Sequence, residues 1–290
     1  MDYIGLRAEA SGGVITRAEL EAFAFEGEPV KLIDIGRGIR NPNQLSATIS
    51  VLTDPHSHYD DEMGADGLLR YSIRTGEWGQ GDNRKLHEAY VRQVPIILLQ
   101  KIRDAVFVPV FPVYVSGAEP SGGLHGRYLL QVTAELDSVV PPAVDPESEL
   151  ERRYRRQIVK QRVHQPLFRA MVLDAYSRRC AICALKHVEL LDAAHIVPDS
   201  SEGGLAKTSN GLSLCKIHHA AYDSWIMGIR PDLHIVVSEA ILKEKDGPML
   251  QHGLQGFHNQ PLRQLPRRRH DLPDPDRLET RYAEFLRRAG

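Results

Sequence analysis

Three short segments decide how this chain reads: C-A-I-C at 180–183, D-A-A-H-I-V-P at 192–198, and N-G-L-S-L-C-K-I-H-H-A-A-Y-D at 210–223. Every cysteine of the protein lies in them, as Cys180, Cys183 and Cys215. A Cys-x-x-Cys pair followed by Cys-x-x-His (Cys215, His218) supplies three thiolates and one imidazole, the ligand set of a tetrahedral zinc ion. Four protein ligands leave no open coordination position, so such an ion is expected to be structural. A second set is threaded through the first. His195 closes a short apolar run, Asn210 follows fifteen residues later and His219 nine beyond that. His219 and Asp223 are spaced i, i+4, so on a helix they project from one face and can share a second metal.

Together these residues resemble the HNH (ββα-metal) nuclease family in its zinc-stapled form. The resemblance implies that His195, at the end of the first strand, is the general base that activates water. It makes Asn210 the middle residue of the motif, which orients the loop and the base. His219 becomes the last motif histidine, a ligand of a catalytic Mg²⁺- or Mn²⁺-type ion, with Asp223 as the second helix ligand. Many family members carry an Asp or His ligand just before the general base, where this chain has Ala194. Two protein ligands and several waters suit a hard, hydrated cation. Asp192 is a further candidate ligand, although on a strand it faces the same side as Ala194. Paired Cys-x-x-Cys and Cys-x-x-His motifs also occur in modules that merely bind DNA. His195, Asn210, His219 and Asp223 are not needed for a staple, and they favour the nuclease.

Charge is divided in the same sense. Residues 1–146 carry 13 Lys/Arg against 20 Asp/Glu, and residues 147–290 carry 23 against 18, within a net charge of −2. The basic half holds the nuclease pattern, as contact with phosphates requires. The acidic half argues against indiscriminate DNA affinity, so a DNA contact there needs a shaped site. Short apolar runs at 30–35, 47–52, 68–73, 95–99, 106–115 and 127–133 predict strands, with a helix over 83–93. Strands at this spacing predict a β-barrel or strongly curved sheet.

Within that half, Tyr59-Asp60-Asp61-Glu62 and, twelve residues after the first tyrosine, Tyr71 resemble the SRA (SET- and RING-associated) domain. That family recognises 5-methylcytosine by flipping the base into a pocket. The resemblance places Tyr59 and Tyr71 as stacking rings and Glu62, or Asp61 with a register shift, on the base edge. Aromatic stacking and a carboxylate that accepts from the exocyclic amine suit a flipped pyrimidine. The same residues also read as ordinary barrel tyrosines and a solvated turn.

The expected architecture is α+β: an SRA/PUA-like β-barrel at 1–136, a linker and basic connecting helix at 137–164, a ββα-metal (HNH) nuclease domain at 165–245, and a tail at 246–290 ending in an amphipathic helix over 275–288. The prolines at 141, 142 and 146 mark a semi-rigid linker. With 42% apolar and 26% charged residues the composition is that of a soluble globular protein. No apolar run approaches a membrane span and no secretory signal is evident, so a cytoplasmic protein is expected. Thiolate use of all three cysteines fits a reducing compartment. The combination resembles a modification-dependent (type IV) restriction endonuclease acting on double-stranded DNA with 5-methylcytosine or 5-hydroxymethylcytosine. A homodimer is expected, because a double-strand break needs two cutting sites. The rival expectations are an HNH endonuclease that reads another modification, such as phosphorothioate, or a sequence, and a non-catalytic zinc-stapled DNA-binding protein.

Overall fold

A computed structural model describes residues 2–34, 36–54, 62–64, 66–72, 80–119, 126–132, 157–159, 163–198, 207–245 and 247–289. The chain divides into two compact units, Met1–Leu167 and Phe168–Gly290.

The first unit is built on a curled half-barrel sheet. Its strands are β1 (Ile15–Thr16), β4 (Ile39–Arg40), β5 (Ser50–Thr53), β6 (Glu62–Met63), β7 (Leu69–Ser72), β8 (Ile96–Arg103), β9 (Val106–Glu119) and β10 (Arg127–Val132), with β2 (Ala24–Phe25) and β3 (Glu28–Pro29) forming a separate hairpin. The order across the sheet is β4-β5-β8-β9-β10-β7-β6, and β1 also pairs with β9. Only β5–β8 is parallel among these described pairs. Register shifts interrupt the β8–β9 and β9–β10 ladders. Such bulges bend a strand and increase its twist, which suits the curl.

The run at 95–99 is apolar throughout because both faces of β8 are covered. Ile96 and Leu98 join a core with Tyr71, Leu86, Val113 and Tyr128, and Ile97 and Leu99 join another with Ile4, Ile15, Leu20 and Phe107. This is the two-residue alternation of a strand buried on both sides. Helix α3 (Arg84–Arg92) supplies Leu86 and Ala89 to the first core, whereas α1 (Asp2–Ala10) and α2 (Arg17–Glu21) supply Ile4 and Leu20 to the second.

Several expected bounds change. Residues 30–34 form no strand: Leu32 and Ile33 are buried, but the Leu32 amide donates to the carbonyl of Leu20, at the end of α2, instead of a ladder. Apolar burial without strand pairing looks the same in sequence. The strand expected at 47–52 is confined to Ser50–Thr53, and β8 and β9 run on to Arg103 and Glu119. Helices α1 and α2 were not anticipated, although Thr16 and Glu19 form a reciprocal capping box that marks the start of α2. Of the expected basic connecting helix, only residues 157–159 and its end at 163–164 lie within the described residues. Val159 and Val163 pack into the first unit's core.

The second unit begins on α4 (Gln165–Ala175), whose Phe168, Val172 and Leu173 lie on one buried stripe. The hairpin of β11 (Leu191–His195) and β12 (Gly211–Cys215) follows, then α5 (Lys216–Asp223), and the pair β13 (Met227–Ile229) with β14 (Ile235–Val237). Strand, strand and helix in this order make a ββα unit. The short helix α6 (Glu239–Lys243) closes the expected nuclease range, and the tail holds a further short helix, α7 (Pro248–Gly253), before α8 (Pro275–Ala289). Helix α8 returns to the core: an added Cβ at Gly228 would meet the ring of Phe285, so β13 and α8 approach closely because residue 228 has no side chain. Among the described residues no helix is long and apolar enough to cross a membrane.

Candidate metal centre and catalytic cleft

Cys180, Cys183, Cys215 and His218 converge, their ligand atoms all within 4.8 Å of one another. Cys215 Sγ lies 3.2 Å and Cys180 Sγ 3.5 Å from His218 Nδ1, and the Cys183 and Cys215 sulfurs are 4.0 Å apart. Metal–sulfur bonds of about 2.3 Å in a tetrahedron put ligands roughly 3.5–3.8 Å apart, so the donor set fits. None of the three cysteines forms a disulfide. His218 Nε2 sits 2.9 Å from the carbonyl of Gly253, at the end of α7, and a proton there leaves Nδ1 free to face an ion. Burial alone would push the His218 imidazole down, but Cys183, Cys215 and the Gly253 carbonyl outweigh it and raise it to about 9. This Cys3His cluster can hold a structural metal.

Helix α5 serves two purposes because consecutive residues on a helix point about 100° apart. His218 turns into the cluster and is buried. His219 turns out of it and lies between two carboxylates. Its Nε2 is 3.2 Å from Asp223 Oδ2, one helical turn on, and its Nδ1 is 3.6 Å from Asp192 Oδ2. Neighbouring ligands of an octahedral ion with bonds of about 2.1 Å lie about 3 Å apart. The His219–Asp223 pair therefore fits two adjacent positions of such an ion, with both side chains open enough for waters to fill the rest.

The charges are mutually supporting. Asp223 hydrogen-bonds His219 and raises its pKa above the ordinary imidazole value, with Asp192 adding to the effect against the opposing cost of burial. Asp223 is held below the usual carboxylate range first by His219, then by Arg281 and His195. Burial pushes Asp192 up, but Lys216, His219 and Arg169 together bring it below its ordinary value. Asp192 is the residue whose part the sequence left open. Ala194 is fully buried, while Asp192 is half-buried and ion-paired with Lys216 and Arg169.

His195 ends β11 directly opposite Gly211. Its imidazole stacks on the ring of Phe168 from α4, with centroids 4.0 Å apart and planes 14° from parallel. A Cβ on Gly211 would collide with Val172 and come within 3.0 Å of Phe168 Cζ, so glycine there permits α4 to reach the histidine. Asn210 is fully buried and braces the turn after His195. Its Oδ1 accepts from the Val197 amide and its Nδ2 donates to the Val197 carbonyl, both at 2.9 Å. The Asn210 carbonyl also accepts from the Ile196 amide at 2.9 Å.

The residues expected to read a base stand differently. Tyr59 and Asp61 lie outside the described residues. Glu62 is placed only by its backbone, in β6 opposite Arg70. Tyr71 is buried in the core of the first unit, opposite Tyr128, and its hydroxyl donates to the Gly38 carbonyl at 2.8 Å. Phe168 and Arg281 were not selected from sequence as part of the site, whereas Asp192 was a candidate ligand. Asp192 carries a local signal, the D-A-A-H spacing, and the other two carry none.

Residues 180–230 match the family described as HNH endonuclease. The chain thus carries an HNH endonuclease domain, a metal-dependent DNA endonuclease module. No curated protein matches the chain. Among solved structures, it is similar to the "Modification dependent TagI restriction endonuclease" at 16% identity and a TM-score of 0.32, over 87% of this chain and 86% of that one. It is also similar to the "Type IV phosphorothioation-dependent restriction endonuclease ScoMcrA" at 15% identity and a TM-score of 0.27, over 59% of this chain and 48% of that one.

Proposed function

We propose that this protein is a modification-dependent DNA endonuclease, in which the second unit hydrolyses a phosphodiester bond and the first unit reads a modified cytosine. The observation that carries the reading is the His219–Asp223 pair, 3.2 Å apart on the helix of a ββα unit stapled by a Cys3His cluster, with His195 at the end of the first strand of that unit. In this reading zinc fills the Cys3His cluster, and His219 with Asp223 holds a hydrated Mg²⁺ or Mn²⁺ ion. A divalent ion there supplies Lewis acidity, which stabilises negative charge on the phosphate and on the departing oxygen.

The chain's own groups account for the rest. A ring nitrogen of His195 accepts a proton from a water, and the oxygen attacks phosphorus as the bond to the sugar 3′-oxygen breaks. Phe168 holds the imidazole plane, and Asn210 fixes the turn that follows it. Asp192, on the far side of the His219 ring, favours a proton on Nδ1 and so leaves Nε2 as the donor atom on the Asp223 side. The basic residues of the second half supply phosphate affinity without sequence preference. Cutting both strands takes two such sites, which a homodimer provides.

An SRA-like half-barrel that flips 5-methylcytosine or 5-hydroxymethylcytosine, with Tyr59 against one face and Glu62 or Asp61 on the base edge, fits the curled sheet. One observation favours a second reading, in which the first unit recognises another feature such as phosphorothioate. Tyr71, expected as a stacking ring, is engaged in the core through its bond to Gly38.

Cleavage of otherwise identical duplexes carrying 5-methylcytosine, 5-hydroxymethylcytosine, phosphorothioate or no modification, in Mn²⁺ and in Mg²⁺, tests these readings. Preferential cutting of the cytosine-modified duplexes is expected. Preference for phosphorothioate would replace the reader, and equal cutting of all four would remove modification dependence altogether.

A further inference from the structure

The HNH match ends at residue 230, yet a side chain from the last helix reaches the candidate metal ligands. Arg281 lies on the buried face of α8 between Leu278 and Phe285, and only 8% of it is exposed. Its guanidinium carbon is 3.6 Å from the centre of the Trp225 ring and 4.7 Å from that of Tyr222. Its Nη2 donates to the carbonyl of Tyr222 at 3.0 Å and lies 3.8 Å from Asp223 Oδ1. The other oxygen of the same carboxylate faces His219.

An arginine at this depth needs an explanation, because burying its charge is unfavourable and an apolar side chain would pack α8 against the core as well. The position of its partners supplies one. The Tyr222 carbonyl belongs to the last turn of α5, where the backbone supplies it the Trp225 amide at 3.3 Å and a cation is favoured. Asp223 is the final residue of that helix. A single guanidinium nitrogen, Nη2, thus bonds the end of α5 and stands beside Asp223 Oδ1, leaving Oδ2 turned to His219. Lysine, a compact point charge, has no planar face to lay on the Trp225 ring. The Trp225 ring keeps the guanidinium in place, and Arg288 lies over the same ring at 4.7 Å, held by Glu284 at 2.8 Å.

We infer that the C-terminal helix is part of the nuclease centre, with Arg281 as a positioning residue that presents the Asp223 carboxylate to the divalent ion. This rests on the proposal that His219 and Asp223 hold that ion. Without Arg281 the α5 terminus loses its side-chain donor and Asp223 is released to other rotamers. Partners of metal ligands typically contribute 10- to 100-fold in metal affinity or activity.

The test is Mn²⁺ binding to the full-length, zinc-loaded chain, read from the electron paramagnetic resonance signal of free Mn²⁺. Wild type, Arg281→Lys, Arg281→Gln, Trp225→Leu and His219→Ala are compared, with zinc content and thermal melting of each. Both Arg281 variants are expected to bind Mn²⁺ at least about tenfold more weakly, with zinc content unchanged. Trp225→Leu, which loosens Arg281 without removing it, should fall between them and wild type. Wild-type Mn²⁺ affinity in the folded Arg281 variants overturns the inference, as does tighter binding by Arg281→Gln, which would make the arginine only a repelling charge. Should neither Arg281 variant retain zinc, Trp225→Leu decides, and unchanged affinity there overturns it. If His219→Ala binds Mn²⁺ as wild type does, the metal-site proposal itself is what fails.

Discussion

The imidazole of His195 and the phenyl ring of Phe168 lie face to face, 4.0 Å apart and 14° from parallel. The candidate base is therefore held on both sides of its backbone: by β12 through the ladder to Gly211, and by α4 through the ring. An aromatic pair of this kind is worth about 0.5–1.5 kcal/mol beyond its buried area, up to roughly a tenfold effect on the population of the aligned ring. Phe168→Leu, which keeps bulk and removes the plane, is expected to slow single-turnover cleavage by up to about tenfold. The Mn²⁺ dependence should stay unchanged. A rate equal to wild type would make Phe168 a packing residue only.

His195→Ala should slow cleavage by about 10²–10⁴, the usual effect of removing a positioned base. DNA binding, measured by fluorescence anisotropy, and zinc content should remain those of wild type, because His195 lies outside the Cys3His cluster. Cleavage at the wild-type rate would exclude the proposed base.

Replacing Cys183 or Cys215 by Ser should release the metal and unfold the second unit. Structural zinc contributes on the order of 10 kcal/mol to small domains, comparable to their whole stability. Elemental analysis of the purified wild type should give one tightly held zinc per chain, and a metal-free preparation with full activity would exclude the staple.

The His219–Asp223 pair sets a pH dependence whose sign follows from the shifts. In the metal-free chain His219 is raised above its ordinary 6.5, so its contribution to stability is complete below that value and is lost as pH rises through the folded pKa. Asp223 is lowered below 3.8, so its contribution is complete above that value and is lost as pH falls through the folded pKa. A divalent ion must displace the proton from His219, so its binding strengthens as pH rises through the raised pKa and levels off above it. At limiting Mg²⁺ the acid limb of cleavage should lie above pH 6.5, and it should move to lower pH as Mg²⁺ is increased. An acid limb indifferent to Mg²⁺ concentration would show that His219 does not hold the ion.

Tyr71 and Tyr59 separate packing from reading. Tyr71→Phe removes the bond to Gly38 and should lower stability by about 0.5–1.5 kcal/mol in chemical denaturation, with any preference among modified duplexes retained. Tyr59→Ala should remove discrimination, since stacking on one base is worth about 1–3 kcal/mol. Unaltered preference in the Tyr59 variant would place the reading site elsewhere.

What the sequence by itself determined is what short covalent spacing controls. Cys-x-x-Cys, Cys-x-x-His and the i, i+4 pair His219 and Asp223 place their side chains through the local geometry of one turn or one helix, so spacing alone anticipated their grouping. Periodicity likewise marked the terminal helix, found at Pro275–Ala289, and the strand pattern of the curled sheet. Within the run read at 30–35, Val30, Leu32 and Ile33 are buried but residues 30–34 form no strand, because hydrophobicity reports removal from water and not which backbone groups bond. Tertiary structure decided which distant residues stand behind the site. Phe168 reaches His195 because residue 211 has no side chain, and Arg281 reaches Asp223 because α8 packs its Phe285 against Gly228. Tyr71 faces the core by the register of β7 on β10. These approaches depend on how whole faces of helices and strands interlock, and no local spacing carries that information.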